Sequence, residues 1–138
     1  MAERSDIKDL IEKAYAARVK GDLDALMDYF HPDCRFQLMG AAEREAICRP
    51  LEGCVAVRGQ MAEFIGAFTF SNFETLDVVV EGDRAAYHWR ADVTFVPTGR
   101  TETFQTLDLL SFEDGKVRSL AQFTDTAGVA RLTAAAAN

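Results

Sequence analysis

Residues 101–125 read TETFQTLDLLSFEDGKVRSLAQFTD, and the alternation within this stretch decides the architecture. Successive side chains of a β-strand point to opposite sides of the sheet. Phe104, Thr106, Asp108, Leu110 and Phe112 therefore share one face of a first strand. Leu120, Gln122 and Thr124 share the matching face of a second. Glu113-Asp114-Gly115, ahead of Lys116, has the chemistry of a tight turn, so the two strands are expected to form the central hairpin of an antiparallel sheet. On this reading Asp108 stands in a mainly apolar row, where its carboxyl and the Gln122 amide meet on one concave surface.

Upstream, strands are expected over about Glu74 to Glu81 and Arg84 to Val96, joined at Gly82-Asp83, with the Pro97-Thr98-Gly99-Arg100 turn leading into the hairpin. The apolar alternation puts Tyr87, Trp89, Ala91, Val93 and Phe95 on one face and His88, Arg90, Asp92 and Thr94 on the other. A single bulge would exchange the two faces.

The first third of the chain carries helical spacing instead. Ser5 is placed to cap a helix whose first turn holds Asp6. Ile7, Leu10, Ile11, Ala14 and Arg18 follow the helical period, with Tyr15 at the edge of the stripe, and Gly21 ends the run. Asp22 caps a shorter helix with Leu23, Leu26, Met27 and Phe30 inward, which His31-Pro32 is expected to terminate. From Asp33 to Met39 the pattern is strand-like, with Cys34, Phe36 and Leu38 competing for the interior against Arg35, Gln37 and Met39. Gly40 to Glu45 is small and polar, and Ala46 to Val57 reads as an irregular arm or hairpin. Gly59 precedes a third helix, Gln60 to about Phe70, with Met61, Phe64, Ile65 and Phe68 on one side. Val129 and Leu132 suit a last helical turn before an Ala-rich end that frays. Helices early and strands late indicate an α+β fold with helices on one face of an antiparallel sheet.

At 138 residues the chain fits one domain, residues 1–138, large enough to bury a core without metal or disulfide staples. A formal charge of -7 argues against a nucleic-acid partner, which would require clustered Lys and Arg. The charged N-terminus lacks the apolar run of a signal peptide, and nothing approaches the ~18 apolar residues of a membrane span, so a cytoplasmic protein is expected. Cys34, Cys48 and Cys54 are then expected as free thiols.

The segments GDLDALMDYFHPDCRF (21–36), VRGQMAEFIGAF (57–68), AAYHWRADVTF (85–95) and LDLLSFEDGKVRSLAQFTDTAGVARL (107–132), in this order and spacing, resemble the SnoaL-like branch of the NTF2-like superfamily. That superfamily also contains ketosteroid isomerases, polyketide cyclases and limonene epoxide hydrolase. The resemblance implies a cone made by a strongly bent sheet around the first helix, a pocket opening inside it, and a homodimer. Beside the ketosteroid isomerase pattern, Asp108 falls where that family keeps an oxyanion-hole aspartic acid held neutral by its apolar surroundings. The family's tyrosine would fall at Ala14, with Tyr15 one position along, and its general-base aspartate at Leu38. Beside limonene epoxide hydrolase, Arg90-Ala91-Asp92 has the form of that enzyme's Arg-x-Asp pair, while its second aspartate would fall at Gln122.

These residues leave several readings open. Asp108 is the candidate catalytic group, as an acid toward a carbonyl or as a base alpha to one. Burial would disfavour its charged form unless a cation such as Arg18 reaches it. Tyr15, Leu38, Trp89, Phe104, Gln122 and Thr124 are candidate substrate-binding residues. Arg90 and Asp92 form an alternative polar site that suits epoxide-hydrolase-like water activation if the strand phase is flipped, and cross-strand or dimer ion pairs if it is not. His31 and His88 lack acidic or thiol neighbours at ligand spacing, so no metal is expected, and no motif suggests a cofactor. The favoured ligand is a small apolar carbonyl compound. The competing class is a non-catalytic ligand-binding or dimeric scaffold protein. For the homodimer, Gln105, Leu107 and Leu109 with Ala121 and Phe123 offer an apolar outer face, with His88, Arg90 and Asp92 at its rim.

Overall fold

The structure is a computed structural model that describes residues 3–40 and 46–134. Its first helix, α1 (Arg4–Lys20), begins earlier than Ser5 capping would allow. The Ile7 amide already bonds the Glu3 carbonyl, so Glu3 occupies the cap position without a side-chain bond. Ile7, Ile11, Ala14, Ala17 and Arg18 form its buried face. Gly21 ends it at a φ of 78°, in the left-handed region that favours glycine. Asp22 caps α2 (Leu23–Met27) as expected, accepting from the Ala25 amide at 3.1 Å.

His31-Pro32 does not terminate that helix. Both residues lie inside β1 (Phe30–Leu38), where pairing with the neighbouring strand is irregular between Phe30 and Arg35, so the missing proline N–H interrupts no regular ladder. The ambiguous alternation in β1 resolves in favour of Cys34, Phe36 and Leu38, all buried. Gly40 is the last described residue before 46–48, a single 3-10 turn (Ala46–Cys48); the small polar segment read over 41–45 lies outside the described residues. The expected arm reduces to that turn and the two-residue β2 (Leu51–Glu52). The third helix, α3 (Cys54–Ala67), starts six residues before Gln60 and stops short of Phe70. Gly53, at a φ of 90°, supplies the turn into it. Gly59 lies within the helix, where its cost of roughly 1 kcal/mol relative to alanine is tolerated.

Chain direction then reverses into β3 (Phe68–Glu81), β4 (Arg84–Phe95), β5 (Arg100–Glu113) and β6 (Lys116–Phe123). Ser71-Asn72, which reads as a break before a strand, is instead a bulge within β3. Asn72 adopts a φ of 51°, a conformation asparagine accepts more readily than most residues. A second irregularity between Thr75 and Asp77 adds to the bend of this long strand. At the hairpin tip Asp114 and Gly115 both have positive φ, 54° and 72°, which matches the twist of the strands they join.

The six strands form one curved, unclosed sheet in the order β2-β1-β6-β5-β4-β3. Its neighbours are antiparallel except β1 and β6, which run parallel. The expectation of an antiparallel sheet is corrected at that one pair. A terminal helix, α4 (Thr126–Ala134), is longer than the single turn read from the sequence. Its Leu132 is completely buried against Val93 and Phe104. Cys34, Cys48 and Cys54 form no disulfide, and burial pushes the Cys34 thiol up to about 11. No helix among the described residues is long and apolar enough to cross a membrane.

Candidate functional site

The alternation of β5 is realised without exception along its central part, where Phe104, Thr106, Asp108, Leu110 and Phe112 are buried and the residues between them are not. Asp108 pairs in register with Tyr87 on one side and Gln122 on the other. It has no exposed surface. The Tyr15 hydroxyl and the Trp89 indole N–H, the latter at 3.0 Å, both donate to its Oδ2. Oδ1 is buried and makes no hydrogen bond. The Gln122 amide is near enough to favour the charged form slightly, but it is not in bonding geometry. Desolvation dominates and pushes the Asp108 carboxyl up to about 8, so that it is mainly a neutral acid at pH 7.

A cavity of about 120 Å³ opens beside this group, between α1, α3 and the concave face of the sheet. All six sequence-predicted binding residues, Tyr15, Leu38, Trp89, Phe104, Gln122 and Thr124, line it. Asp108 does not. It stands behind Tyr15 and Trp89, hydrogen-bonded to both. On the aromatic wall Trp89 lies 5.2 Å from Phe70 between ring centroids, and Phe73, which is not among the lining residues, packs on Trp89 at 5.3 Å and on Tyr15 at 5.8 Å. Such rings present flat apolar surface with a few fixed polar points.

A phenol reaches Asp108 from Tyr15, one position along the helix from Ala14. Ala14 occupies the expected place and is buried in the helix packing, whereas Tyr15, at the stripe's edge, has the length to reach Asp108 across the cavity wall. Leu38 fills the place of the general base with an aliphatic side chain, 3% exposed, and provides no proton acceptor there. Arg18 does not reach Asp108. Its Nη2 donates to the Phe64 and Phe68 carbonyls at 3.3 and 2.9 Å, and its guanidinium lies 3.9 Å over the Phe70 ring. Arg18 and Thr106 also line the cavity and were not among the binding residues picked from the sequence. The position of Arg18 on the buried stripe of α1 is the signal that marks it.

Arg90 and Asp92 lie outside this site. The β4–β5 register runs unbroken from Arg84 opposite Ser111 to Phe95 opposite Arg100, so no bulge flips the phase and Tyr87, Trp89, Ala91 and Val93 face inward. Arg90 pairs with Glu74 at 2.8 Å. Asp92 accepts from Asn72 and Thr103, and those two bonds hold its carboxyl below the ordinary value. The water-activation reading therefore loses its Arg-x-Asp pair. His31, for which no acidic neighbour was expected, lies with its Nε2 3.4 Å from Glu113 and 3.6 Å from Asp114 at the hairpin tip. The turn brings these carboxylates across a sequence separation that local spacing does not reveal. The Asp33 amide donates to Nδ1 at 3.0 Å, which leaves Nε2 as the ring nitrogen that faces the acids.

Comparison with solved structures places the fold among NTF2-like proteins. A candidate isomerase from Bacillus subtilis superposes with a TM-score of 0.86 at 16% identity, covering 96% of each chain. TsrD from Streptomyces laurentii gives 0.76 at 22% identity, over 96% of this chain and 97% of that one. A candidate polyketide cyclase from Xanthomonas campestris pv. campestris gives 0.76 at 15%, over 95% and 98%. At such identities the likeness is one of fold. No curated protein sequence matches the chain. The model of the SnoaL-like domain matches residues 11–120, and the chain belongs to the SnoaL-like family.

Proposed function

We propose that the cavity binds a small, largely apolar carbonyl compound and promotes proton transfer on it without a cofactor, in the manner of an isomerase or cyclase. The observation that carries this reading is the hydrogen bond from Tyr15, on the cavity wall, to the buried Asp108 behind it. When a ligand carbonyl replaces Asp108 as the acceptor of the Tyr15 hydroxyl, the neutral carboxyl can donate its own proton to the phenol oxygen. As solvent water takes the proton alpha to the carbonyl and negative charge builds on the ligand oxygen, the Tyr15 proton passes to that oxygen and the Asp108 proton passes to Tyr15, giving the enol. Asp108 is left as a carboxylate held by Trp89 Nε1; protonation of carbon by water then reverses both transfers and restores it. A panel of cyclic and polyketide-like ketones, assayed for solvent deuterium uptake and for cyclisation, tests the proposal. Turnover by the parent that is lost in Asp108→Asn, with ligand affinity retained, supports it; absence of turnover across the panel sinks it.

A second reading, binding without turnover, is favoured by Leu38. The wall has no second acid–base group at that position, and a one-sided acid can hold a carbonyl without converting it. Under this reading Asp108→Asn changes affinity alone.

The assembly proposed with either reading is a homodimer through the outer sheet face. Val79, Leu107, Leu109 and Phe123 are exposed apolar residues brought to one side by the register, in which Leu107 faces Phe123 and Leu109 lies between Ala86 and Ala121. Burial of such a face against a two-fold copy gains about 25 cal/mol per Å² before the cost of association. His88, Arg90 and Asp92 stand at its polar rim.

A further inference from the structure

Arg18 is a buried cation without a counterion among the described residues. It is 9% exposed, yet no acidic side chain among the described residues forms an ion pair with it. Its two hydrogen bonds both use Nη2 and both go to backbone carbonyls at the C-terminal end of α3. These carbonyls and the Phe70 face offset part of the desolvation cost. They leave Nε and Nη1 with no hydrogen-bond partner among the described residues, on a side chain that lines the cavity. Burial lowers the guanidinium to about 10, so it remains charged at neutral pH. A buried charge left uncompensated costs several kcal/mol, and the chain carries this one inside a protein whose formal charge is -7.

Resting on the pocket reading above, we propose that Arg18 is an anion subsite and that the natural ligand of this cavity carries a carboxylate as well as its carbonyl and apolar body. Arg18 and Tyr15 are three residues apart on α1 and so share one face of the helix. Between them runs the wall of Phe70 and Trp89, 5.2 Å apart. A ligand lying along these rings places its acid beside the guanidinium, where the unused Nε–H or Nη1–H can donate a charge-assisted hydrogen bond to a carboxylate oxygen. Its carbonyl then falls toward Tyr15. No acidic side chain among the described residues lines the wall to repel such an anion.

The test compares 3-phenylpropanoate with 3-phenylpropanamide, two ligands of one shape that differ in charge. Binding is read by calorimetry and by the emission of Trp89, the single tryptophan of the chain, which stands in the wall. The acid should bind about tenfold or more tightly than the amide. That ratio should fall to about one in Arg18→Met, survive in weakened form in Arg18→Lys, and be unchanged in Arg90→Gln on the outer face. It should also persist in 0.5 M salt, because a buried pair is little screened. Should Arg18→Met fail to fold, the parent ratio and Arg18→Lys still decide. Equal binding of acid and amide by the parent, or a preference that survives in Arg18→Met or vanishes in salt, overturns the anion subsite and leaves the pocket reading standing. Binding of neither compound overturns both.

Discussion

Replacing Asp108 by Asn should change how stability depends on pH in a direction opposite to that of an ordinary ion-paired carboxylate. Folding carries Asp108 from a reference value of 3.8 to about 8. Between these limits the folded chain holds a proton that the unfolded chain has released. Stability from this group is therefore complete below about pH 4 and is lost as pH rises toward 8. The slope is about 1.4 kcal/mol per pH unit, which makes a loss of about 3 kcal/mol between pH 5 and pH 7 an order-of-magnitude expectation. Asparagine has the shape of the neutral acid. Its carbonyl can accept from Tyr15 and Trp89 while its NH₂ group occupies the place of Oδ1, yet it has no proton to lose. Urea denaturation of both proteins at pH 5, 6 and 7, followed by far-ultraviolet circular dichroism, isolates the effect, since all other titrating groups cancel in the difference. The parent should lose ground to the variant by about 1 kcal/mol or somewhat more at each step. A difference that stays constant, or one that moves in the parent's favour as pH rises, would show Asp108 to be ionised in the fold and would end the neutral-acid argument.

Tyr15→Phe removes one of the two donors to Asp108 Oδ2; it should cost about 1–2 kcal/mol in urea denaturation at pH 6 and abolish turnover of any ketone the parent converts. Leu109→Glu places a charge in the middle of the outer apolar face, so light scattering should report monomer where the parent is a dimer, with 3-phenylpropanoate binding retained; a parent already monomeric at micromolar concentration refutes the dimer. Asp22→Ala deletes the cap bond to Ala25 and should lower the urea midpoint by the equivalent of about 1 kcal/mol, with the ligand affinity unaltered.

How much of this was legible beforehand varied with the locality of the signal. The hairpin of β5 and β6 could be read directly because a period of two in side-chain character and a turn with two left-handed residues are both local properties, and its inward row of Phe104 to Phe112 was found as expected. Helix boundaries were less legible. Gly59 resembles a helix start only if its cost within a helix is overestimated, and Asn72 resembles a chain break only if a bulge is not considered. At the site, Trp89, Phe104, Gln122 and Thr124 follow from strand phase and Tyr15 from the edge of a helical stripe, but the Tyr15–Asp108 bond does not, because it depends on the rotation of α1 against a strand residue 93 positions further along the chain. The acids beside His31 were hidden for the same reason.

The parallel contact between β1 and β6 has a consequence for how the molecule is made. Asp33 and Arg118, joined across this contact, are 85 residues apart, and loops of that length close late because their entropy is lost before any contact repays it. During synthesis the apolar stripe of α1 and the inward row of β1 leave the ribosome long before β6 exists to receive them. The sequential strand pairs β3–β4, β4–β5 and β5–β6, whose contacts are short in range, close at a smaller entropy cost. A nascent chain released before residue 117 has its sticky surfaces made and its docking strand missing, which makes premature termination, rather than point substitution, the event most prone to feed aggregation.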